Sequence, residues 1–266
     1  MNFFSEKANK ILPYVPGEQP KDGEYIKLNT NENPYPPSDK VKEAIKNINF
    51  DKLKLYPEPE CIELRKEYAK TLGINIENIF VGNGSDEVLA TAFQTFFMEK
   101  DNILMPDISY SFYPVYSSLY NVNVKQVPLK EDFSIDIQDY MIENNGIIIA
   151  NPNAPTSLAL SKTEIEEIVK NNQDRVVIID EAYVDFGGES VVSLIGKYKN
   201  LLVIKTLSKS YSLAGLRVGF AIGDKELIDG MNKIKNSFNS YPIDMIAQIR
   251  CKRGSKRYTI SARNNQ

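Results

Sequence analysis

From residue 79 onward, short apolar runs alternate with segments of helical periodicity. The runs at 79–82, 103–105, 122–127, 147–150, 176–179, 201–204 and 218–222 are short and end at polar or turn residues, which predicts strands. Between them the spacing predicts helices over about 85–98, 110–119, 161–171 and 212–216. Ser161-Lys162-Thr163-Glu164 has the spacing of a capping box, marking a helix start. Upstream, Val41, Ala44, Ile45 and Ile48 follow helical spacing behind Ser38, a suitable N-cap, and Ile62, Leu64, Tyr68 and Leu72 mark a helix over about 60–72. Residues 1–37 are Pro-rich and irregular, ending in Asn31-Glu32-Asn33-Pro34-Tyr35-Pro36-Pro37, and read as an extended arm. Strands alternating with helices imply an α/β fold with a mostly parallel sheet covered on both faces. Such sheets collect their ligands outside the carboxyl ends of the strands.

Composition narrows the chemistry. A hydrophobic share of 42% and a charged share of 25% over 266 residues suit one large domain plus a smaller lobe. No apolar run reaches the roughly 18–20 residues that span a bilayer. The N-terminus lacks a signal-peptide pattern. Cys61 and Cys251 are too few and too far apart for a disulfide framework. A soluble, cytoplasmic protein without membrane contact is expected. The chain has no histidine, which excludes Ser-His-Asp and Cys-His catalysis and histidine-ligated metal sites, so no metal is expected. Proton transfer must use Lys, Tyr, Asp or Glu.

The net charge of −3 hides an asymmetry: residues 250–266 carry six Lys/Arg and no acid, leaving 26 basic against 35 acidic residues elsewhere. A basic end can serve as an arm for nucleic acid or anionic membrane. The acidic remainder argues against a nucleic-acid partner. We expect this segment to be disordered.

Three segments at strand ends carry candidate chemistry. Gly82-Asn83-Gly84-Ser85-Asp86-Glu87 follows a strand and opens a helix, where free N–H groups attract an anion such as a phosphate; taken alone, Ser85 reads equally well as an N-cap. Asp180 follows the apolar run at 176–179, well set to meet a cationic ring nitrogen, with Tyr183 three residues on; alone, it reads as a surface turn with an acidic pair. After the run at 201–204 come Lys205, Thr206, Ser208 and Lys209, with Arg217 eight residues beyond Lys209. A buried lysine can condense with an aldehyde, and a hydroxyl with a guanidinium can hold a phosphate. Lys209 by itself would read as a solvated surface residue. Together, in this order, the segments supply what pyridoxal 5'-phosphate needs: a lysine for its aldehyde, an acid for its pyridinium nitrogen and a nest for its phosphate.

In these motifs the chain resembles the pyridoxal-phosphate-dependent aminotransferases of fold type I, and within them the class-II-type histidinol-phosphate aminotransferase family. The resemblance runs through 28–34, 56–59, 82–87, 110–113, 151–156, 180–183 and 206–219 and covers about residues 10–249. It implies a seven-stranded, mostly parallel sheet flanked by helices, and pyridoxal 5'-phosphate as cofactor. It implies that Lys209 holds the cofactor as an imine and then moves the proton. Asp180 would pair with the ring nitrogen, Tyr183 would bond the ring hydroxyl and Tyr110 would stack on the ring. Ser85, Asp86, Ser208 and Arg217 would hold the phosphate. Tyr14 and Asn33 would lie in an arm over the substrate. Tyr56 would reach the phosphate of a second copy, which makes the protein a homodimer with shared sites. The implied reaction interconverts L-histidinol phosphate plus 2-oxoglutarate with imidazole-acetol phosphate plus L-glutamate, a step of histidine biosynthesis. Threonine-phosphate decarboxylase, an aromatic-amino-acid aminotransferase of the same fold and an inactive cofactor-binding remnant stay open as alternatives.

Two departures from the family pattern stand out. Ala154 occupies a place where many relatives have an Asn that touches the ring hydroxyl, so that contact is either lost or passed to Asn153. The family pattern also stops near 249, which predicts an arm over 1–37, a large domain over 38–249 and an atypical basic tail over 250–266 in place of the small domain. A missing substrate clamp of this kind would impair turnover.

Overall fold

The computed structural model describes residues 3–19, 21, 23 and 25–248. The expectation of a disordered basic tail at 250–266 lies outside these residues. Seven strands form one sheet: β1 (Ile79–Asn83), β2 (Asn102–Pro106), β3 (Asn123–Val127), β4 (Gly146–Ala150), β5 (Val177–Asp180), β6 (Leu201–Thr206) and β7 (Val218–Gly223). Their order is β1-β7-β6-β5-β4-β2-β3, with β7 antiparallel to both neighbours and every other pairing parallel. The first residue of β7 therefore lies on the same edge as the last residues of the other strands, and Arg217, just before it, joins the loops gathered there.

The pleat divides the core into two layers. Ile147, Ile149, Val177, Ile179, Leu201 and Val203 pack on one side with Val41, Leu64, Tyr68, Ile165 and Ile168. These come from helices α2 (Asp39–Lys46), α3 (Ile62–Leu72) and α6 (Lys162–Asn171). Ile148, Ile178, Leu202 and Ile204 pack on the other with Val88, Phe93, Tyr113, Ile228 and Met231, from α4 (Gly84–Phe96), α5 (Tyr113–Tyr120) and α7 (Lys225–Phe238). Successive strand residues alternate between the layers because side chains on a strand repeat every two positions. The same alternation sends the adjacent acids Asp180 and Glu181 to opposite sides. All four residues of β5 and all six of β6 are buried, as central parallel strands require.

Four details differ from the periodicity. The arm carries a short helix, α1 (Glu6–Lys10), capped by the Ser5 side chain. The segment predicted as helix at 212–216 is one 3-10 turn, Ala214–Leu216, ended by Arg217 with left-handed backbone. The helix expected at 110–119 begins at Tyr113, next to Pro114, which sets φ for a first turn. Helix α7 was not foreseen. Its apolar stripe is interrupted by Gly230 and by Lys235, a buried lysine whose ammonium reaches the Pro59 carbonyl at 3.1 Å and the Glu60 carboxylate at 3.5 Å. A charged residue on the buried face weakens the periodic signal although its stem still packs. No helix among the described residues is long and apolar enough to cross a membrane.

Candidate active site

The site lies where the carboxyl ends of the parallel strands meet the start of β7. One cleft is lined by Ser85, Tyr110, Ala154, Asp180, Tyr183 and Lys209, and it adjoins a second lined by Ser85, Asp86, Thr206, Ser208, Lys209 and Arg217 among others. Residues far apart in the chain, and singled out by different motifs, are thus brought to one place.

The second cleft is built around the N-terminus of α4. A helix start leaves backbone N–H groups without partners, and its dipole favours an anion. Two glycines allow the close packing. A Cβ on Gly219 would sit 2.5 Å from the Ser85 nitrogen, so only glycine lets β7 approach this turn. Gly84 has φ +78, and a Cβ there would come within 2.4 Å of the Arg217 guanidinium. Arg217 itself has φ 51, the left-handed region that costs a non-glycine residue free energy and recurs at functional sites. The Asp86 carboxylate bonds Arg217 at 3.1 Å and accepts from the Tyr110 hydroxyl at 3.2 Å. A carboxylate repels a phosphate, so this side chain serves to orient the arginine and the tyrosine. Tyr116 steadies the same turn by donating to the Asp86 carbonyl at 2.9 Å.

At the inner end, Asp180 closes β5 and is only 5% exposed. Its Oδ2 accepts from the Tyr113 hydroxyl at 2.9 Å and its Oδ1 from the Ala182 N–H at 3.1 Å. Burial pushes the Asp180 carboxyl up to about 6, and those two donors oppose the rise. A buried acid of this kind gains most from a cationic partner, which a pyridinium nitrogen supplies. Tyr113 was not singled out from the sequence as a site residue. The signal was its place in the run Tyr110-Ser111-Phe112-Tyr113, but its partner Asp180 lies 67 positions away.

The two lysines separate cleanly. Lys205 belongs to β6, is 7% exposed and pairs with Glu181 at 2.8 Å. Glu181 is further held by Ser190 and by the Val191 N–H, both at 2.6 Å. That amine is committed to a buried ion pair. Lys209, in the loop after β6, lines both clefts instead. Its ammonium lies 5.3 Å from the centre of the Tyr183 ring and donates to the Thr30 and Asn31 carbonyls at 2.9 and 3.3 Å.

The arm meets the site here. Asn31 donates to the Tyr183 hydroxyl at 3.0 Å, leaving the phenolic hydrogen for another acceptor. Asn33 donates to the backbone carbonyl of Lys209 at 3.1 Å, so it braces the lysine loop. Tyr14 lines the second cleft and packs on Phe112, ring centres 4.8 Å apart.

Two candidates are placed differently. Asn153 donates its amide hydrogens to the Ile108 carbonyl and the Thr156 hydroxyl, at 2.9 and 3.2 Å, and its oxygen accepts from Ser109 at 2.8 Å. Both hydrogens are taken, so the ring-hydroxyl contact expected of Asn153 has no donor, and the adjoining Ala154 has no polar side chain. Tyr56 is away from both clefts, 82% exposed, and stacks on Tyr241 with ring centres 4.9 Å apart.

The comparisons with known proteins agree with this architecture. The family model "Aminotransferase class I and II" matches residues 23–250. A histidinol-phosphate aminotransferase of Acinetobacter baumannii is 57% identical over 250 residues, covering 93% of this chain and 69% of the relative. One from Clostridium botulinum is 58% identical over 247 residues, covering 93% and 70%. The crystal structure of the Sinorhizobium meliloti histidinol-phosphate aminotransferase in complex with pyridoxal-5'-phosphate superposes with a TM-score of 0.78 at 20% identity, covering 85% of this chain and 63% of that one. The chain therefore spans about two thirds of the length of the proteins it matches. It belongs to the class I and II aminotransferases and, within them, to the histidinol-phosphate aminotransferase family.

Proposed function

We propose that the chain is a pyridoxal-phosphate-dependent aminotransferase that interconverts L-histidinol phosphate plus 2-oxoglutarate with imidazole-acetol phosphate plus L-glutamate, a reaction of histidine biosynthesis in the cytoplasm. One observation carries the cofactor reading. The Lys209 amine, resting on the Thr30 and Asn31 backbone carbonyls, and a buried carboxylate, Asp180, line one cleft beside a helix N-terminus and an arginine. The donor set fits the cofactor group by group: an amine for the aldehyde, an anion for the ring nitrogen and N–H groups with a guanidinium for the phosphate. When bound, pyridoxal phosphate supplies an electron sink that makes the Cα–H bond of an amine substrate acidic.

The residues divide the remaining work. Lys209 would hold the cofactor covalently and, once released, take the Cα proton at Nζ. Asp180 would keep the ring nitrogen protonated. Tyr183 would offer its phenolic hydrogen to the ring hydroxyl, and Tyr110 would cover the ring. Ser85, Asp86, Ser208 and Arg217 would fix the phosphate, with the Asp86 carboxylate acting through Arg217. Tyr14, and Asn33 through the lysine loop, would shape the substrate side. The name shared by the relatives at 57–58% identity supports the phosphorylated substrate.

A homodimer follows from the same reading. Phe50, Leu53, Leu55 and Tyr56 are all exposed within one short segment, and Tyr241 stacks on Tyr56. A second copy would cover this surface and receive Tyr56 at its own phosphate site. The arm over 1–37 and the large domain over 38–249 would then act as one unit, because Asn31 and Asn33 bond the loops of the site.

Borohydride reduction of the full chain with pyridoxal phosphate, followed by peptide mapping, tests the cofactor reading. The label is expected on Lys209, and a label elsewhere sinks the reading. Product analysis with histidinol phosphate, threonine phosphate and phenylalanine tests the substrate. Amino transfer from histidinol phosphate is expected to exceed the other two, and preferential release of carbon dioxide from threonine phosphate would replace the assignment.

A further inference from the structure

We propose that Tyr113 is a positioning residue of this site: from behind the cleft its hydroxyl fixes the Asp180 carboxylate, ionised and in one orientation, for the ring nitrogen. The inference rests on the cofactor reading above. Tyr113 begins α5 and is completely buried. It does not line the cleft, whereas its partner Asp180 and its neighbour Tyr110 both do. Its donation to Oδ2 comes from a helix packed on the sheet, and the donation from Ala182 to Oδ1 comes from the turn after β5. Two donors from separate elements, one on each oxygen, hold the carboxylate plane against rotation. A carboxylate can accept about four hydrogen bonds, so acceptor capacity remains toward the cleft. Tyr110 rests edge-on against Tyr113, ring centres 5.4 Å apart and planes at 86°, so one phenol backs both the acid and the ring that would cover the cofactor.

The charges around Asp180 explain why the donor matters. Asp86 of α4 and Glu181 of its own segment both disfavour ionisation, and burial disfavours it more. Glu181 has Lys205 of β6 as its own counter-ion. Tyr110, Tyr183 and Lys209 line the cleft in front. The phenol of Tyr113 is held well above its usual range by burial, so it stays a donor across the working pH range. Removing that donor leaves burial and two like charges opposed by a single backbone N–H. A buried core tyrosine that merely satisfies its hydroxyl would lack this link to cofactor affinity.

The test is pyridoxal-phosphate affinity of the full chain, followed by cofactor absorbance from about pH 5 to about pH 9. Affinity should fall on acidification as Asp180 takes up a proton. Tyr113→Phe keeps the ring and should move that fall about one unit upward, a loss of roughly twofold at neutral pH that approaches tenfold by about pH 5 and vanishes at alkaline pH. Site-specific 3-fluorotyrosine at 113, a stronger donor of nearly the same shape, should move it downward, and it supplies the reading if Tyr113→Phe does not fold. In an Asp180→Asn background Tyr113→Phe should leave the pH profile unchanged. An equal loss of affinity at every pH, or an unmoved midpoint in a wild type that binds, overturns the role of Tyr113 alone. A wild type that fails to bind overturns the cofactor reading and the role of Tyr113 together.

Discussion

Asp180 combines a function with a cost to folding, and the sign of the cost can be worked out. Its carboxyl is raised from 3.8 to about 6 in the folded chain. Between those values the folded state keeps a proton that the unfolded chain has released, so stability falls as pH rises through the window and the full penalty applies above it. A shift of about two units corresponds to about 3 kcal/mol. In Asp180→Asn the amide oxygen can still accept from Ala182, and the amide can donate to the Tyr113 hydroxyl oxygen. The cofactor-free variant is therefore expected to be more stable than wild type by about 2–3 kcal/mol at about pH 8, with the advantage fading by about pH 4. Urea unfolding across pH checks this; a difference independent of pH would refute the assignment of the penalty to this carboxyl. That Asp180 and Lys209 share one cleft is legible in the sequence because each sits at or just after the end of an apolar run, where an α/β sheet presents side chains to ligands. The part played by Tyr113 is not legible there, and Asn153 departs from its expected contact, because what they do depends on partners such as Asp180 and Ser109, which only the fold brings near.

The elements show a similar division. The strands were readable because central β-strands are continuous apolar runs, and the capping box at Ser161 forms as its spacing predicted, with both reciprocal bonds present. What periodicity does not encode is direction. The reversal of β7 goes with a connection that holds the single turn Ala214–Leu216 and no crossover helix of the kind that joins parallel neighbours. The reversal makes Gly219 the point where β7 crosses the start of α4. Gly219→Ala should push that turn away, because the new methyl meets backbone atoms at 2.5 Å and neither side can yield as a flexible side chain would. The expected loss is about 1–3 kcal/mol of stability. On the proposed reading the same turn supplies N–H groups to the phosphate, so cofactor affinity should fall at least roughly tenfold as well. Gly215→Ala, where a Cβ meets nothing within 4 Å, is the matched control for stability. Parallel melting and cofactor-binding measurements check the pair, and an affinity unchanged in Gly219→Ala would show that the turn is not the anion site.

At the scale of the whole molecule, the exposed apolar side chains are unevenly placed. Many lie in the arm, among them Phe3, Phe4, Leu12, Val15, Ile26 and Leu28, and another group lies at 50–56. Apolar surface in such concentration marks an interaction face. If the face receives a second copy, each site takes Lys209 from one chain and Tyr56 from the other. Genetic complementation follows from that geometry. Tyr56→Ala should weaken cofactor binding, and Lys209→Ala should abolish covalent trapping by borohydride. Co-expressed, the two variants form mixed dimers in which one site carries both lesions and the other carries neither. With random pairing about half of the dimers are mixed, so trapped cofactor at limiting concentration should return to about one quarter of the wild-type level. Trapping no greater than the sum of the two parents would mean that Tyr56 serves its own chain or no site at all. Sedimentation of the wild type as a monomer would exclude sharing altogether, because a residue 82% exposed and stacked on Tyr241 can complete a neighbour's site only when that neighbour is bound.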